Sequence, residues 1–231
     1  MDGKESSKQG LTKYLQEHDA KKLIASYGIP TTREIFVTDL DLALKAAKEI
    51  GYPVVLKGAG EAIQHKTELG LVAVGISDAD LLKKALDGML AKKVAGLEGF
   101  LVQEMVKGDR EFIAGLNRDP QFGPVVLFGL GGIFTEALRD TSFRVAPLTE
   151  VDALDMISEI KASSLLSEFR GQPAVDRKAL AHILITLGRI GMERDDVQEI
   201  DLNPLKISGS KPVAVDALVG LTRPEDAIPK A

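Results

Sequence analysis

Glu199-Ile200-Asp201-Leu202-Asn203-Pro204-Leu205 is the stretch on which the reading turns. Polar and apolar residues alternate along it, which is the period of a β-strand. Alternation puts Glu199, Asp201 and Asn203 on one face, with about 6–7 Å between successive members. Three oxygen-bearing side chains on one face repel unless a cation or a hydrogen-bond donor satisfies them. The segment Ala214-Val215-Asp216-Ala217 reads as the next strand, so Asn203 and Asp216 can meet across the pair. They could share a hard cation with phosphate oxygens. Mg²⁺ suits this arrangement because it keeps waters and needs few protein ligands. The plainer account is a polar strand face with a turn carboxylate, and it leaves the convergence of oxygens unexplained.

Working back from that stretch, short strands and amphipathic helices follow one another. A helix is expected over about Thr12 to Tyr27, ended by Gly28 in the left-handed conformation and by Pro30. Thr38 and Asp41 make a Thr-x-x-Asp variant of the capping box, before a helix with Leu40, Leu44, Ala47 and Ile50 on one face. Strands are expected at Pro53–Lys57, Leu71–Ile76 and Phe100–Val106. Between the last two, Ser77 is read as the cap of a helix carrying Leu81, Leu82, Ala85, Leu86 and Met89. In the second half, Glu111–Leu116 and Pro124–Phe128 read as strands, and Gly129-Leu130-Gly131-Gly132 as a turn. Helices are expected near Thr149–Ile157 and Asp176–Ile190. Strands follow at Val197–Leu202, Leu205–Ile207 and Val213–Leu218, with a turn at Ser208-Gly209. This divides the chain into a flexible polar tail at 1–10, a first lobe at 11–103 that includes the N-terminal helix, and a second lobe at 104–231.

Three further places carry candidate chemistry. Lys57 ends an apolar strand just before Gly58-Ala59-Gly60, where a point charge and open backbone N–H groups can hold phosphate oxygens. Taken alone, a solvated lysine at a strand end is the simpler reading, and the spacing is not that of a Walker loop. Val102-Gln103-Glu104-Met105-Val106 lies between the lobes, where Gln103 and Val106 can read an adenine edge. Glu104 or Glu111 can take ribose hydroxyls. An ordinary edge strand with its charge outward accounts for the same residues. Of three histidines, His18 and His182 fall in helical patterns, while His65 lies in a loop, Gln64-His65-Lys66-Thr67-Glu68-Leu69-Gly70. An imidazole there can act as nucleophile, base or ligand, although a lone loop histidine is usually inert.

Bulk composition narrows the classes. The chain has 231 residues, 45% hydrophobic and 27% charged, enough for one bilobed domain or two small ones. Its formal net charge of −5 disfavours a nonspecific nucleic-acid or anionic-membrane binder. It has no cysteine, which excludes disulfides, thiolate metal sites and a cysteine nucleophile. Its start is polar, without the apolar core of an export signal, so a cytoplasmic setting is expected.

Taken together, these segments resemble the β subunit of ADP-forming acetyl-CoA synthetases, relatives of the succinyl-CoA synthetases. The resemblance rests on Ala20-Lys21-Lys22-Leu23, Tyr27-Gly28-Ile29-Pro30, Val54-Val55-Leu56-Lys57 and His65-Lys66-Thr67. It continues through Arg118-Asp119-Pro120-Gln121-Phe122-Gly123-Pro124, Phe128-Gly129-Leu130-Gly131-Gly132, Ser142-Phe143-Arg144 and Asp201-Leu202-Asn203-Pro204-Leu205. The family's loop commonly reads His-Lys-Ser-Asp-x-Gly-Gly-Val, and this chain departs from it at Thr67, Glu68 and Leu71.

The resemblance implies a two-lobed α/β ATP-grasp fold that binds ADP or ATP with Mg²⁺. It implies a CoA-binding α subunit as partner, in an α₂β₂ heterotetramer, and a reversible reaction of acyl-CoA, ADP and phosphate to acid, CoA and ATP. A histidine of the partner takes the phosphoryl group from an acyl phosphate, and a second histidine, matched by His65, relays it to ADP. Lys57 matches the phosphate-holding lysine, Asn203 and Asp216 the magnesium ligands, and Asp201 the carboxylate beside the phosphohistidine. Two other readings are a stand-alone ATP-grasp carboxylate ligase, for which the chain is short of an acid-binding lobe, and a non-catalytic nucleotide-sensing module. Intact Lys57, His65, Asn203 and Asp216 speak against the latter.

Overall fold

The computed structural model describes residues 12–61, 63, 66–132, 140–168 and 170–222. Two antiparallel sheets carry them. The smaller has four strands, β2 (Glu34–Val37), β3 (Val54–Ala59), β4 (Val72–Ile76) and β5 (Gly99–Glu104), in the order β2-β5-β3-β4. Helices α2 (Leu40–Ile50) and α3 (Ala79–Leu90) pack against it and each other. Ala43, Ala47, Leu82 and Leu86 sit in the core they share with Val54, Leu56 and Val102.

The larger sheet holds β1 (Thr12–Tyr14), β6 (Glu111–Asp119), β7 (Gly123–Leu130), β8 (Thr141–Val145), β9 (Val197–Ser208), β10 (Lys211–Ala214) and β11 (Leu218–Thr222). Its order is β1-β11-β9-β6-β7-β8, with β10 paired to β9. Helices α1 (Glu17–Ser26), α4 (Glu150–Glu159) and α5 (Arg177–Glu193) supply the rest of this core. Phe112 and Phe128 are fully buried at its centre and stack with centroids 5.5 Å apart. Replacing Phe128 by Ala is expected to cost about 3–5 kcal/mol, because the rigid sheet around the ring cannot collapse into the space. Urea unfolding checks this: the midpoint should fall at an unchanged slope, and an unmoved midpoint would contradict the packing described.

Several local expectations are corrected by tertiary contacts. Thr12–Tyr14 is a strand, not the first turn of a helix, because it pairs with Leu221 and its neighbours on β11. The helix starts at Glu17 and ends where Gly28 takes a φ of 92°, as expected. Strand β1 and helix α1 therefore join the larger core, through Ala20 and Ile24, rather than the lobe of residues 34–104. Asp39 and Asp78 cap α2 and α3, each accepting from the N–H three residues on at 2.9 Å. A carboxylate suits the positive end of a helix better than a hydroxyl, so Thr38 and Ser77 donate to those aspartates instead. Thr149 and Asp152 form a complete capping box at α4.

Strand β9 is one strand where two were expected. Its inward set is Ile200 and Leu202 before Asn203-Pro204, and Leu205 and Ile207 after it. The alternation slips by one residue there, and a shifted register against β6 absorbs the slip as a bulge. The expected strand Val213–Leu218 is divided into β10 and β11, which leaves Asp216 in the connection. Gly129 and Leu130 belong to β7, so the glycine turn begins at Gly131. A Cβ on Gly131 would lie 2.7 Å from the backbone carbon of Phe112, so the close approach there admits glycine alone.

Buried Arg110 ties distant loops together, donating to the carbonyls of Leu165, Ser167, Pro173 and Gly209. Among the described residues no helix is long and apolar enough to cross a membrane.

Candidate functional site

The two sheets face each other across a cleft, and a buried polar cluster closes its floor. Lys57 lies inside β3 rather than at its end, paired with Leu101 on one side and Val72 on the other. Its Nζ is 2.5 Å from Glu17 Oε1, 3.3 Å from the Val215 carbonyl and 3.4 Å from Asp216 Oδ2. One lysine of the smaller sheet thus reaches the N-terminal helix and the β10–β11 connection of the larger unit.

Two adjoining cavities share Asp216. The first, of about 320 Å³, is lined by Lys57, Gln103, Glu104, Val106 and Asp216 together with apolar Val55, Val72, Val74 and Met105. The second, of about 160 Å³, is lined by Asp201, Asn203, Asp216, Glu17, Lys66 and Ile63 among others. The β9 registers explain the convergence. Leu218 stands opposite Asp201, and Val215 N donates to the Pro204 carbonyl at 3.1 Å, so Asn203 and Asp216 fall across from each other between those points.

Other expected residues sit differently. Gln103 is wholly buried, and its amide is engaged: it accepts from Lys21 Nζ at 3.1 Å and donates to the Val215 carbonyl at 3.2 Å. Glu104 accepts from Arg33 N and Arg33 Nε, so its carboxylate is already shared with a guanidinium. Val106 lies just past the end of β5 and lines the larger cavity. Glu111 is one step back, paired at 3.0 Å with Lys206, which does line that cavity. His18 Nδ1 is 3.1 Å from Glu34 Oε1, and His182 is exposed on α5. His65 and Gln64 lie outside the described residues, as does the 1–10 segment.

Sequence reading missed the middle of the cluster. Lys21 Nζ contacts Glu17, Thr32, Glu34 and Gln103 at 2.7–3.1 Å. Lys66 Nζ lies 3.0 Å from Glu17 Oε2. Glu17 and Lys21 stand four apart on α1, a spacing that normally marks a solvated pair on a helix surface. Here both side chains are at most 3% exposed. The signal was visible, but nothing local distinguishes a surface pair from a buried one.

The charges have consequences. Burial would raise the Glu17 pKa, but the Lys57, Lys21 and Lys66 charges outweigh it and hold the carboxyl well below the usual range. Burial works against the charged form of Lys57 too, and Asp216 and Glu17 overcome it, so the ammonium persists. On the other side of the cleft, Asp201 stays open to solvent at its edge, yet lost hydration among the cleft walls and then the Asp216 and Glu199 charges push it up to about 6. Burial also raises the Asp216 pKa, against the opposing pull of Lys57. Two carboxylates that are costly to ionise, with the Asn203 amide beside them, fit a hard cation that would offset their charge. Among the described residues no three His, Cys, Asp or Glu side chains converge as a metal cage.

A lysine from one sheet set against carboxylates and an amide from the other, across a cleft with an apolar wall, defines a nucleotide-binding domain of the ATP-grasp class. The ATP-grasp domain family model matches residues 6–221. Within that class the chain belongs to the family of β subunits of ADP-forming acetate–CoA ligases. It is 42% identical over 208 residues to the β subunit of acetate–CoA ligase (ADP-forming) I of Pyrococcus furiosus, covering 88% of this chain and 90% of that one. It is 38% identical over 200 residues to acetate–CoA ligase (ADP-forming) I of Archaeoglobus fulgidus, covering 84% of this chain and 29% of that longer one. Among solved structures it is similar to acetyl-coenzyme A synthetase 1 of Ca. Korarchaeum cryptofilum, in complex with coenzyme A and Mg-AMPPCP. The phosphohistidine segment of that structure points towards the nucleotide binding site. The TM-score is 0.80 at 45% identity, covering 91% of this chain and 93% of that one.

Proposed function

We propose that this chain is the nucleotide-binding subunit of an ADP-forming acyl-CoA synthetase, and that it relays a phosphoryl group between a CoA-binding partner subunit and ADP. The observation that carries this reading is the sharing of Asp216 by two adjoining cavities. One has apolar strand walls and a lysine, suited to a base and its phosphates. The other is polar and lined by Lys66, the residue after His65.

The roles follow from position. The apolar residues of β3, β4 and the β5 end take the base. Lys57 offers fixed positive charge to phosphate oxygens. Asn203 and Asp216 hold Mg²⁺, which when bound neutralises phosphate charge. His65 attacks the phosphorus of the partner's phosphohistidine, the N–P bond to the partner breaks, and the phosphoryl group passes next to a terminal oxygen of ADP. Neutral imidazole suits both steps because its pKa lies near pH 7, which makes it nucleophile and leaving group alike. Asp201 accepts from the ring's other N–H and fixes its orientation. Two such subunits and two partners complete an α₂β₂ assembly.

The purified chain alone is expected to bind ADP with Mg²⁺ and to make no acyl-CoA. Addition of the CoA-binding partner should restore synthesis. Turnover by the isolated chain, measured as CoA thioester formed from acid, CoA and ATP, would rule out the two-subunit reading.

A further inference from the structure

Glu17 occupies an unusual place between the two cavities. Its side chain is 1% exposed, at the first turn of α1. Oε1 accepts from Lys21 at 2.8 Å and from Lys57 at 2.5 Å, while Lys66 stands 3.0 Å from Oε2. Lys57 lines the larger cavity and Lys66 the smaller. The Lys66 contact is off the line of a hydrogen bond, so among the described residues Oε2 has a compensating charge but no donor aimed at it. Lys21 is held from the other side by Thr32, Glu34 and Gln103, which fixes the helix end in turn.

Desolvation offsets much of the Coulomb gain in a buried ion cluster, and an apolar cluster of the same volume would serve the fold as well. The effect of the ion cluster is geometric. Two ammonium groups serving two cavities depend on one carboxylate for their positions. Phosphate oxygens entering either cavity meet a lysine whose distance from the other lysine is already set. Preset distances lower the reorganisation needed at the moment of transfer.

We propose that Glu17 is a positioning residue for phosphoryl transfer, whose single buried carboxylate sets where Lys57 presents charge to the nucleotide and where Lys66 presents charge to the relay chamber. This rests on the relay reading above. Glu17 itself lines the smaller cavity. It acts through the two lysines.

The test uses the assembled enzyme with its partner subunit, labelled ATP and a Glu17→Gln variant. The rate of label transfer should fall about 100-fold, the order that misplacing reacting groups by an ångström costs. ADP affinity should stay within about threefold, because the larger cavity keeps its walls and Lys57 keeps Asp216, while the unfolding midpoint should fall, because a carboxylate held below its usual range stabilises the fold at neutral pH. A Glu17→Asp variant restores the charge with a shorter reach and should recover part of the loss. An unchanged transfer rate in Glu17→Gln would overturn the proposal. So would a loss matched by an equal loss of ADP affinity at a temperature where the variant is folded, which would mark a structural residue. If Glu17→Gln does not fold, Glu17→Asp decides: a rate about tenfold down with ADP affinity kept supports positioning, and a wild-type rate overturns it. Failure of the wild-type assembly to transfer label at all would instead strike the relay itself, and is read separately.

Discussion

Replacing His65 by Asn in the assembled two-subunit enzyme is expected to stop transfer of label from ATP to the partner's histidine, by at least about 10³-fold, the order seen when a nucleophile is removed. The chemistry requires a carrier that accepts and releases a phosphoryl group near pH 7, and imidazole does both. The described neighbours Ile63 and Lys66 line the smaller cavity with Asp201, Asn203 and Asp216. Lys66 can donate to a bound phosphoryl group, which carries close to two negative charges. Nucleotide binding should survive the substitution, because the larger cavity is built from β3, β4, the β5 end and the β10–β11 connection. Label reaching the partner's histidine at the normal rate would mean that the partner reaches ADP directly and that His65 merely sits nearby.

Asp216→Ala is expected to weaken Mg²⁺-dependent ADP binding at least about 100-fold, since even supporting residues around a metal cost 10–100-fold when removed. Titration calorimetry with and without Mg²⁺ measures it, and the metal dependence itself should vanish. Stability makes a useful contrast. The Asp216 pKa is raised in the folded chain, so its ionised form opposes folding once the pH exceeds the unfolded value. Its removal therefore should not lower the unfolding midpoint at neutral pH. Lys57 keeps Glu17 and the Val215 carbonyl as partners when Asp216 is gone. Unaltered ADP affinity in this variant would remove Asp216 from the metal site. Loss of affinity together with loss of folding would assign it to the scaffold.

The structure also ranks the other candidates. Glu104 is bound by Arg33 and Glu111 by Lys206, so each must give up a salt bridge before it can meet a ribose. Gln103 has both ends of its amide engaged and serves as a brace between α1 and the β10–β11 connection. None of these partners could be read from position in the chain, since each pair is 70 residues or more apart.

What the sequence determined by itself is local. The alternation in Glu199–Asn203 set one polar face on β9, and the side chains of Asp201 and Asn203 do point away from the core that holds Ile200 and Leu202. Gly28 and Pro30 ended α1, and the apolar spacing of α2 and α3 appeared in their buried faces at Ala47, Ile50, Leu82, Leu86 and Met89, although Leu81 is exposed. Each of these depends on neighbours within about four residues, whose geometry the backbone period fixes. Tertiary structure decided the rest. Thr12–Tyr14 became a strand because β11 offered an open edge, and two expected strands fused into β9 because a bulge absorbed their phase slip. Above all, the meeting of Glu17, Lys21, Lys57 and Lys66 was settled by the docking of α1 against the cleft. A charged residue on a helix face carries no local mark of burial. Only the arrival of partners from β3 and the segment after it, 40 and more residues away, made that burial tolerable.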